Sequence, residues 1–492
     1  MGQLHDDTKL SAAELATDTP YYVVRLLSGA RVMDKWTTED VREIASGQDV
    51  YRLRESSYQK IRAVADEVAT LMNVIGVYPP YSMEGFNAIH KQAAWVARSS
   101  MRVPPHKLRV VFAVPDEANG CVFYRELQPA SWLERLGDQT PIHVDLSNYY
   151  KVGMGIADDF DAIVMSRPSN NMAKMARDFM ACKKIVVYET DDLLSDMPDF
   201  NPAKMWINPN DWHTALIQRV HGRIVSTEQL AEALTIVEQT HVVHNGIDPN
   251  LWPMKVPEQP SGGSPVRVMW AGGSTHSGDL KLLVEPIRRI IKRYASKVVF
   301  IFIGYLPEEF QDRQSSQCVA APWQRYIQYA PPCTIWQWPS YLAKAGCHIA
   351  LAPLVKHPFN ESKSELKALE AWALGIPIIG SKVAPYMRAV TDGVDGYVVS
   401  ENDPTDHGGR LDSMQSGAPL TEWESRLETL ILSKEKRIAM GTAGLAALQS
   451  KGYLMQNNVL CMERALLKIC TGRVGRVECE DAITRRLAEI GG

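Results

Sequence analysis

The chain has 492 residues, of which 45% are hydrophobic and 22% charged, with a formal net charge of −4 at neutral pH. That length exceeds one ordinary domain, so two or three are expected, and the composition excludes a disordered or collagen-like chain. The charge balance gives no global case for nucleic-acid binding, although a local basic surface is compatible with it.

Eight cysteines stand at 121, 182, 318, 333, 347, 461, 470 and 479. None forms Cys-x-x-Cys and no histidine cluster accompanies them, so they read as buried thiols of a reducing compartment rather than a zinc site or a disulfide frame. No apolar run reaches membrane-spanning length. The polar, acidic start from Gln3 to Asp7 is unlike a signal peptide, and a cytoplasmic location is expected.

Residues 1–105 read as an all-helical N-terminal extension. Thr37-Thr-Glu-Asp-Val-Arg-Glu-Ile opens with a capping pattern. Ile61, Val64, Val68, Leu71 and Ile75 recur at helical spacing, Pro79-Pro80 ends that helix, and a second runs from about Met83 to Arg98.

From Lys107 the texture becomes α/β. Leu108–Val114, Phe160–Met165, Lys184–Tyr188, Arg223–Ser226 and Val242–His244 read as strands, with helical stretches between them. This alternation predicts a parallel sheet with helices on both faces, over residues 106–252. A Pro/Ser/Gly-rich linker runs from Trp252 to Pro265, and the pattern restarts over residues 266–450. Its strands are Val266–Trp270, Val298–Ile303, His348–Leu351, Ile376–Ile379 and Tyr397–Val399. A helical stretch covers 421–470, and residues 451–492 are taken as a C-terminal helical tail.

The segment Phe359 to Gly380 reads as an Asn360 cap, a helix, a glycine stop and a buried strand. Lys363, Lys367 and Glu370 share one helical face, while Leu366, Leu369 and Ala373 share an adjacent apolar one. Lysines in the first turns oppose the helix dipole unless an anion faces them, and a pyrophosphate suits that place. Gly272-Gly273-Ser274-Thr275-His276 follows the first strand of the second unit, and such a turn allows backbone amides close approach to phosphate. In the first unit, Tyr188-Glu189-Thr190-Asp191-Asp192 crowds three acids at the end of a buried strand, where they can accept protons or bind hydroxyls. Asn119, Gly120, Arg125 and Arg167 line the same edge of that sheet. The two arginines either meet a phosphate or pair with the acids.

These blocks resemble the donor-binding segment of GT-B glycosyltransferases of the large retaining, family 4-like group. The helix ending in Glu370, then Ala-Leu-Gly-Ile-Pro-Ile-Ile and Asp392-Gly-Val-Asp-Gly396, carries the likeness. Phe-Asn-x-x-Lys-Ser-x-x-Lys-x-x-Glu resembles a phage and bacterial subgroup. The resemblance implies two Rossmann-like doubly wound domains facing a cleft. It gives Glu370 the ribose hydroxyls of a nucleotide and puts Ser362 where the family has a first Glu, with Glu361 one position early. It places the base near the loop after Gly304, with Tyr305, Trp336 and Trp338 as aromatic candidates. The His244-Asn-Gly-Ile-Asp248 turn resembles an interdomain hinge.

The expected donor-binding set is therefore Gly272, Gly273, Ser274, Gly304, Trp338, Asn360, Ser362, Lys363, Lys367 and Glu370. Asp191, Asp192 and His276 are the catalytic candidates. Asn119, Gly120, Arg125, Arg167 and Glu189 are the acceptor-side candidates. The resemblance implies transfer from a nucleotide diphosphate sugar, in the first instance a UDP-sugar, to a hydroxyl. Retention is implied, with no cofactor, no metal, and domain closure to exclude water. Phe86 to Pro115 holds Lys91, Arg98, Arg102, Lys107 and Arg109 without an acid, which suits a phosphate backbone. With the phage-like texture, this points to a hydroxymethylated pyrimidine in DNA as acceptor, in a host cytoplasm. A virion or bacterial protein and a surface glycan are the alternative acceptors. A sugar-nucleotide epimerase and a non-catalytic binding module are the alternative functions. Oligomeric state is not legible.

Overall fold

A computed structural model describes the backbone of residues 21–26, 50–54 and 74–78, and then residues 103–114, 120–148, 160–166, 170–205, 219–234, 239–312, 315–335, 337–400 and 421–491.

The first three segments are strands: β1 (Tyr21–Leu26), β2 (Val50–Arg54) and β3 (Val74–Tyr78). They form an antiparallel sheet of order β2-β1-β3. The expectation of an all-helical extension therefore fails at these positions. Tyr21-Tyr-Val-Val and Val74-Ile-Gly-Val are β-branched and aromatic runs that favour a pleated backbone. Ile75, counted as the end of a helical stripe, belongs to β3. The bodies of the two helices expected after Ser57 and Met83 lie outside the described residues.

Two six-stranded sheets follow, with parallel strand pairs. In the first, β4 (Leu108–Val114), β5 (Ile142–Asn148), β6 (Ala162–Ser166), β7 (Ile185–Thr190), β8 (Gly222–Val225) and β9 (Thr240–Val242) stand in the order β5-β4-β6-β7-β8-β9. The strand β5 was not among the expected strands, although Ile142, Val144 and Leu146 alternate with His143, Asp145 and Ser147. Ahead of α1 (Gln128–Arg135), Phe123–Leu127 winds as a π-helix.

In the second, β10 (Val266–Ala271), β11 (Val298–Ile303), β14 (Ile327–Ala330), β15 (Ile349–Ala352), β16 (Ile378–Ser381) and β17 (Gly396–Val399) stand in the order β14-β11-β10-β15-β16-β17. A short hairpin, β12 (Gln311–Asp312) and β13 (Ser315–Val319), precedes β14. These are the two doubly wound strand orders of nucleotide-binding α/β proteins. The central strands are buried on both faces: β11 (VVFIFI) is buried at every position, as a parallel sheet between helices requires.

The chain divides into two compact units. One takes the described residues up to Glu189 with Val220–Gly222 and Glu463–Gly492; the other takes Thr190–Arg219 with Arg223–Met462. Within the first, Arg476 pairs with Asp161 at 2.6 Å and donates to the Lys107 carbonyl, fixing the start of the last helix, Val477–Glu489. No described helix is long and apolar enough to cross a membrane.

Candidate functional site

In the second sheet the strand order reverses between β10 and β15. Turns leaving the carboxyl ends of those two strands run in opposite directions and leave a crevice, which is where open α/β sheets bind ligands. The glycine turn 272–276 leaves β10, and residues 353–357 leave β15.

Gly272 donates its N–H to Ile303 at 2.9 Å. Its own carbonyl lies against Gly304, whose φ is +92° and where an added Cβ would stand 2.4 Å from that oxygen. Gly304 is thus a packing requirement of the turn. Ser274–His276 form one 3-10 turn that leads into the helix Ser277–Tyr294. An added Cβ on Gly272 would meet Lys367 Nζ at 3.0 Å, so the lysine lies directly over the turn. Lys367 Nζ donates to the Ala271 carbonyl and stands 5.3 Å from the Trp270 ring centroid. Burial pushes its pKa down, an effect that Lys363 reinforces and that Glu370 and Asp279 oppose.

The helix expected to run unbroken from an Asn360 cap is in two pieces, Pro358–Glu361 and Leu366–Ala373. The first starts on His357, whose Nδ1 accepts from Phe359 N at 3.2 Å, with Pro358 at the first helical position. Lys363 therefore lies between helices, and Lys367 sits in the first turn of the second. Glu365 explains the break. Fully buried, it receives Arg388 Nη2 at 2.7 Å and Nε at 3.2 Å. Arg388 also donates to the Lys363 carbonyl at 3.1 Å. Neither residue drew attention in the sequence, because the pair spans 23 positions. Asn360 caps nothing; its amide donates to Asp279 Oδ1 at 3.0 Å and to the Val355 carbonyl at 2.9 Å.

Asp279 belongs to this cluster and was not singled out in the sequence. It is 1% exposed. Its Oδ2 bonds His276 Nδ1 at 2.8 Å, while Oδ1 accepts from Asn360 and from Val355 N at 2.9 Å. One carboxylate thus ties the glycine turn to the loop after β15. Burial lowers the His276 pKa, Lys367 and Lys363 add to that, and Asp279 opposes it. The only sequence signal was the His-x-x-Asp spacing at the start of a helix.

Glu370, buried on the second helix piece, accepts Trp338 Nε1 at 2.8 Å. The ribose candidate and one aromatic candidate are thus joined. Lys363 Nζ bonds Asp192 Oδ1 at 2.9 Å and stands 4.3 Å from the centroid of the Phe359 ring. This makes Asp192 a partner of the lysine in the same compact unit. Asp191 accepts Ser226 Oγ on its carbonyl at 3.3 Å. Ser362 is buried, and its carbonyl accepts Thr227 Oγ1 at 2.8 Å. Glu361 Oε2 accepts Ala384 N at 2.7 Å, at the start of the helix Ala384–Ala389. The acid one position early serves a helix terminus.

Of the acceptor-side set, Arg125 and Glu189 are both about 1% exposed and pair at 2.5 Å. Arg125 pairs with an acid, one of the two roles open to it. Burial withdraws both from contact with an acceptor. Gly120 is half-buried at a helix start. Asn119, Arg167 and Trp336 lie outside the described residues.

The fold and the switch-point crevice define the molecule as two Rossmann-like parallel-sheet domains of the GT-B kind. Residues 265–413 match the family model described as "Glycosyl transferases group 1". A D-inositol 3-phosphate glycosyltransferase of Segniliparus rotundus is 33% identical over 115 residues, 23% of this chain and 21% of that protein. The chain thus spans about a fifth of the length of this curated relative. The crystal structure of Anabaena HepE in complex with UDP and glucose aligns with a TM-score of 0.51 at 15% identity, over 73% of this chain and all of that one. A glycosyltransferase from Rickettsia africae aligns at 0.52 and 12% identity, over 74% of this chain and 99% of that one. At such identities the likeness carries the fold.

Proposed function

We propose that the protein is a glycosyltransferase that moves a sugar from a nucleotide diphosphate sugar to an acceptor hydroxyl. The observation that carries this reading is the convergence of Lys367, His276 and the 272–276 turn at the switch point of the second sheet, with Lys363 on the adjoining segment. The group 1 match over 265–413 supports it.

Phosphate oxygens lie against the turn amides and the first turn of the helix Leu366–Ala373, where the helix dipole favours an anion. The two ammonium groups meet charge that grows on the leaving diphosphate as the glycosidic bond opens, so they bind the transition state more tightly than the ground state. Lys363 exchanges Asp192 for phosphate. Glu370 takes ribose hydroxyls, with Trp338 holding its other oxygen. A uridine nucleotide is the first choice, since the structurally similar HepE was crystallised with UDP. Retention is the stereochemical part of the proposal: the acceptor attacks the face from which the diphosphate leaves, and the leaving phosphate takes the hydroxyl proton. No metal is assigned to the diphosphate.

The acceptor proposed from sequence is a hydroxymethylated pyrimidine in DNA. Among the described residues of the basic stretch, Lys107 is buried on the Gly137 and Thr140 carbonyls and Arg109 pairs with Asp161 at 3.0 Å. That reading therefore rests on residues 86–102. Mass spectrometry of products from a panel of nucleotide sugars against modified DNA, host protein and free sugars tests both levels. Sugar mass on an acceptor, lost in Glu370→Ala, is the expected result. Conversion of the donor alone would mark an epimerase, and no binding of any donor would remove the reading altogether. DNA is rejected as acceptor if modified bases gain no sugar mass.

A further inference from the structure

His276 stands where a permanently charged residue would be the simplest way to meet a diphosphate. A histidine there is cationic only when it carries a second proton. The geometry decides which nitrogen is available. Nδ1 is engaged at 2.8 Å by Asp279, itself held by Asn360 and Val355 N. An Nδ1–H directed at a carboxylate leaves the lone pair on Nε2, which has no hydrogen-bond partner among the described residues. The charged groups around the ring are Asp279 from the helix that follows it, Lys367 from the helix Leu366–Ala373, and Lys363 from the segment before that helix. Trp270 covers one side at 6.2 Å between centroids.

We infer that Asp279 is a positioning residue that fixes His276 with Nε2 toward the diphosphate, and that donor binding brings one solvent proton onto Nε2. Without ligand, burial and then the two nearby ammonium groups lower the imidazole's pKa and so favour its neutral form. A bound diphosphate reverses the local field, and the imidazolium then donates Nε2–H to a phosphate oxygen while Nδ1–H stays on Asp279. Donor affinity therefore falls as pH rises through the His276 pKa of the complex, by up to about tenfold per pH unit. This inference rests on the donor-binding reading above.

The test is calorimetric titration with UDP-glucose, UDP-N-acetylglucosamine and GDP-mannose, whose diphosphates do not titrate near neutrality. It is run at several pH values and in buffers of different ionisation enthalpy. The wild type is expected to take up close to one proton per donor bound in the window between the two His276 pKa values. His276→Asn keeps a donor to Asp279 and loses Nε2. It should bind more weakly, with no proton uptake and a flat pH profile, while melting at an unchanged temperature. Asp279→Asn should still bind but show a shifted profile. If that variant fails to fold, Asn360→Ala, which removes one support of the carboxylate, should shift the profile in the same direction. Proton uptake that survives in His276→Asn, or its absence in the wild type, overturns the inference while the donor reading stands. Failure of all three sugars to bind overturns the donor reading, and the inference with it.

Discussion

Lys367 shows how one residue acquires meaning from its surroundings. Its ammonium lies over Gly272, on the Ala271 carbonyl. In water a lysine–phosphate contact contributes little, but a half-buried one keeps more of its Coulomb energy. Lys367→Met should therefore weaken nucleotide-sugar binding roughly ten- to hundredfold, the range for hydrogen bonds to charged groups. Titration calorimetry checks this, and an unchanged affinity would remove Lys367 from the site. The spacing of Lys363, Lys367 and Glu370 was legible without coordinates. Their separate fates were not: Lys363 faces Asp192, across 171 positions, and no periodicity reports such a distance.

Among the elements, the turn after β10 depends on the end of β11. Gly304 takes a left-handed backbone and presses on the Gly272 carbonyl. Gly304→Ala brings a methyl carbon to 2.4 Å of that oxygen, so either β11 or the glycine turn must move. Loss of stability and of donor affinity together is expected, seen as a lower melting temperature and a weaker Kd for the same nucleotide sugar. A variant that melts lower yet binds normally would separate the turn from the site. The broken helix is the complementary lesson. Composition favours helix from Pro358 to Ala373, yet Glu365, buried against Arg388, anchors the chain between the two pieces. Removing one partner of such a buried pair costs about 3–5 kcal/mol, more than helix propensity supplies over a few residues.

For the whole molecule, three histidines, His348 buried and His221 and His276 partly so, link stability to pH. His348 Nδ1 accepts from Arg267 N at 3.0 Å, and its Nε2 donates to the Glu258 carbonyl at 3.2 Å. His221 Nδ1 accepts from Val186 N at 3.0 Å. A nitrogen that accepts an N–H cannot carry a proton, so both rings are neutral. Burial lowers the pKa of His221, His276 and His348 below the usual 6.5. As pH falls, the unfolded chain takes protons first. Stability is thus complete above about 6.5 and is lost as pH falls through the folded-state values. Urea unfolding between pH 7.5 and 5.5 should show this decline, with a shallower slope in His348→Gln. An equal slope would deny His348 its share. The same preparation tests the electrostatics of the reaction. If lysines and amides stabilise the leaving diphosphate, chelation with EDTA should leave transfer intact, and abolition by EDTA would require a metal at the site.

Local chemistry was enough to read the two α/β repeats and the glycine turn and lysine-bearing segment that meet at the second sheet. Strand–helix alternation and glycine positions follow from backbone and side-chain properties acting over a few residues. Tertiary structure alone decided the rest. It set the strand order that opens the crevice, the Asp279 carboxylate that ties two loops together, the burial of Arg125 with Glu189, and the extended strands within residues 1–105. Each of these depends on groups far apart in the chain meeting in space, where burial and hydrogen bonding outweigh local preference.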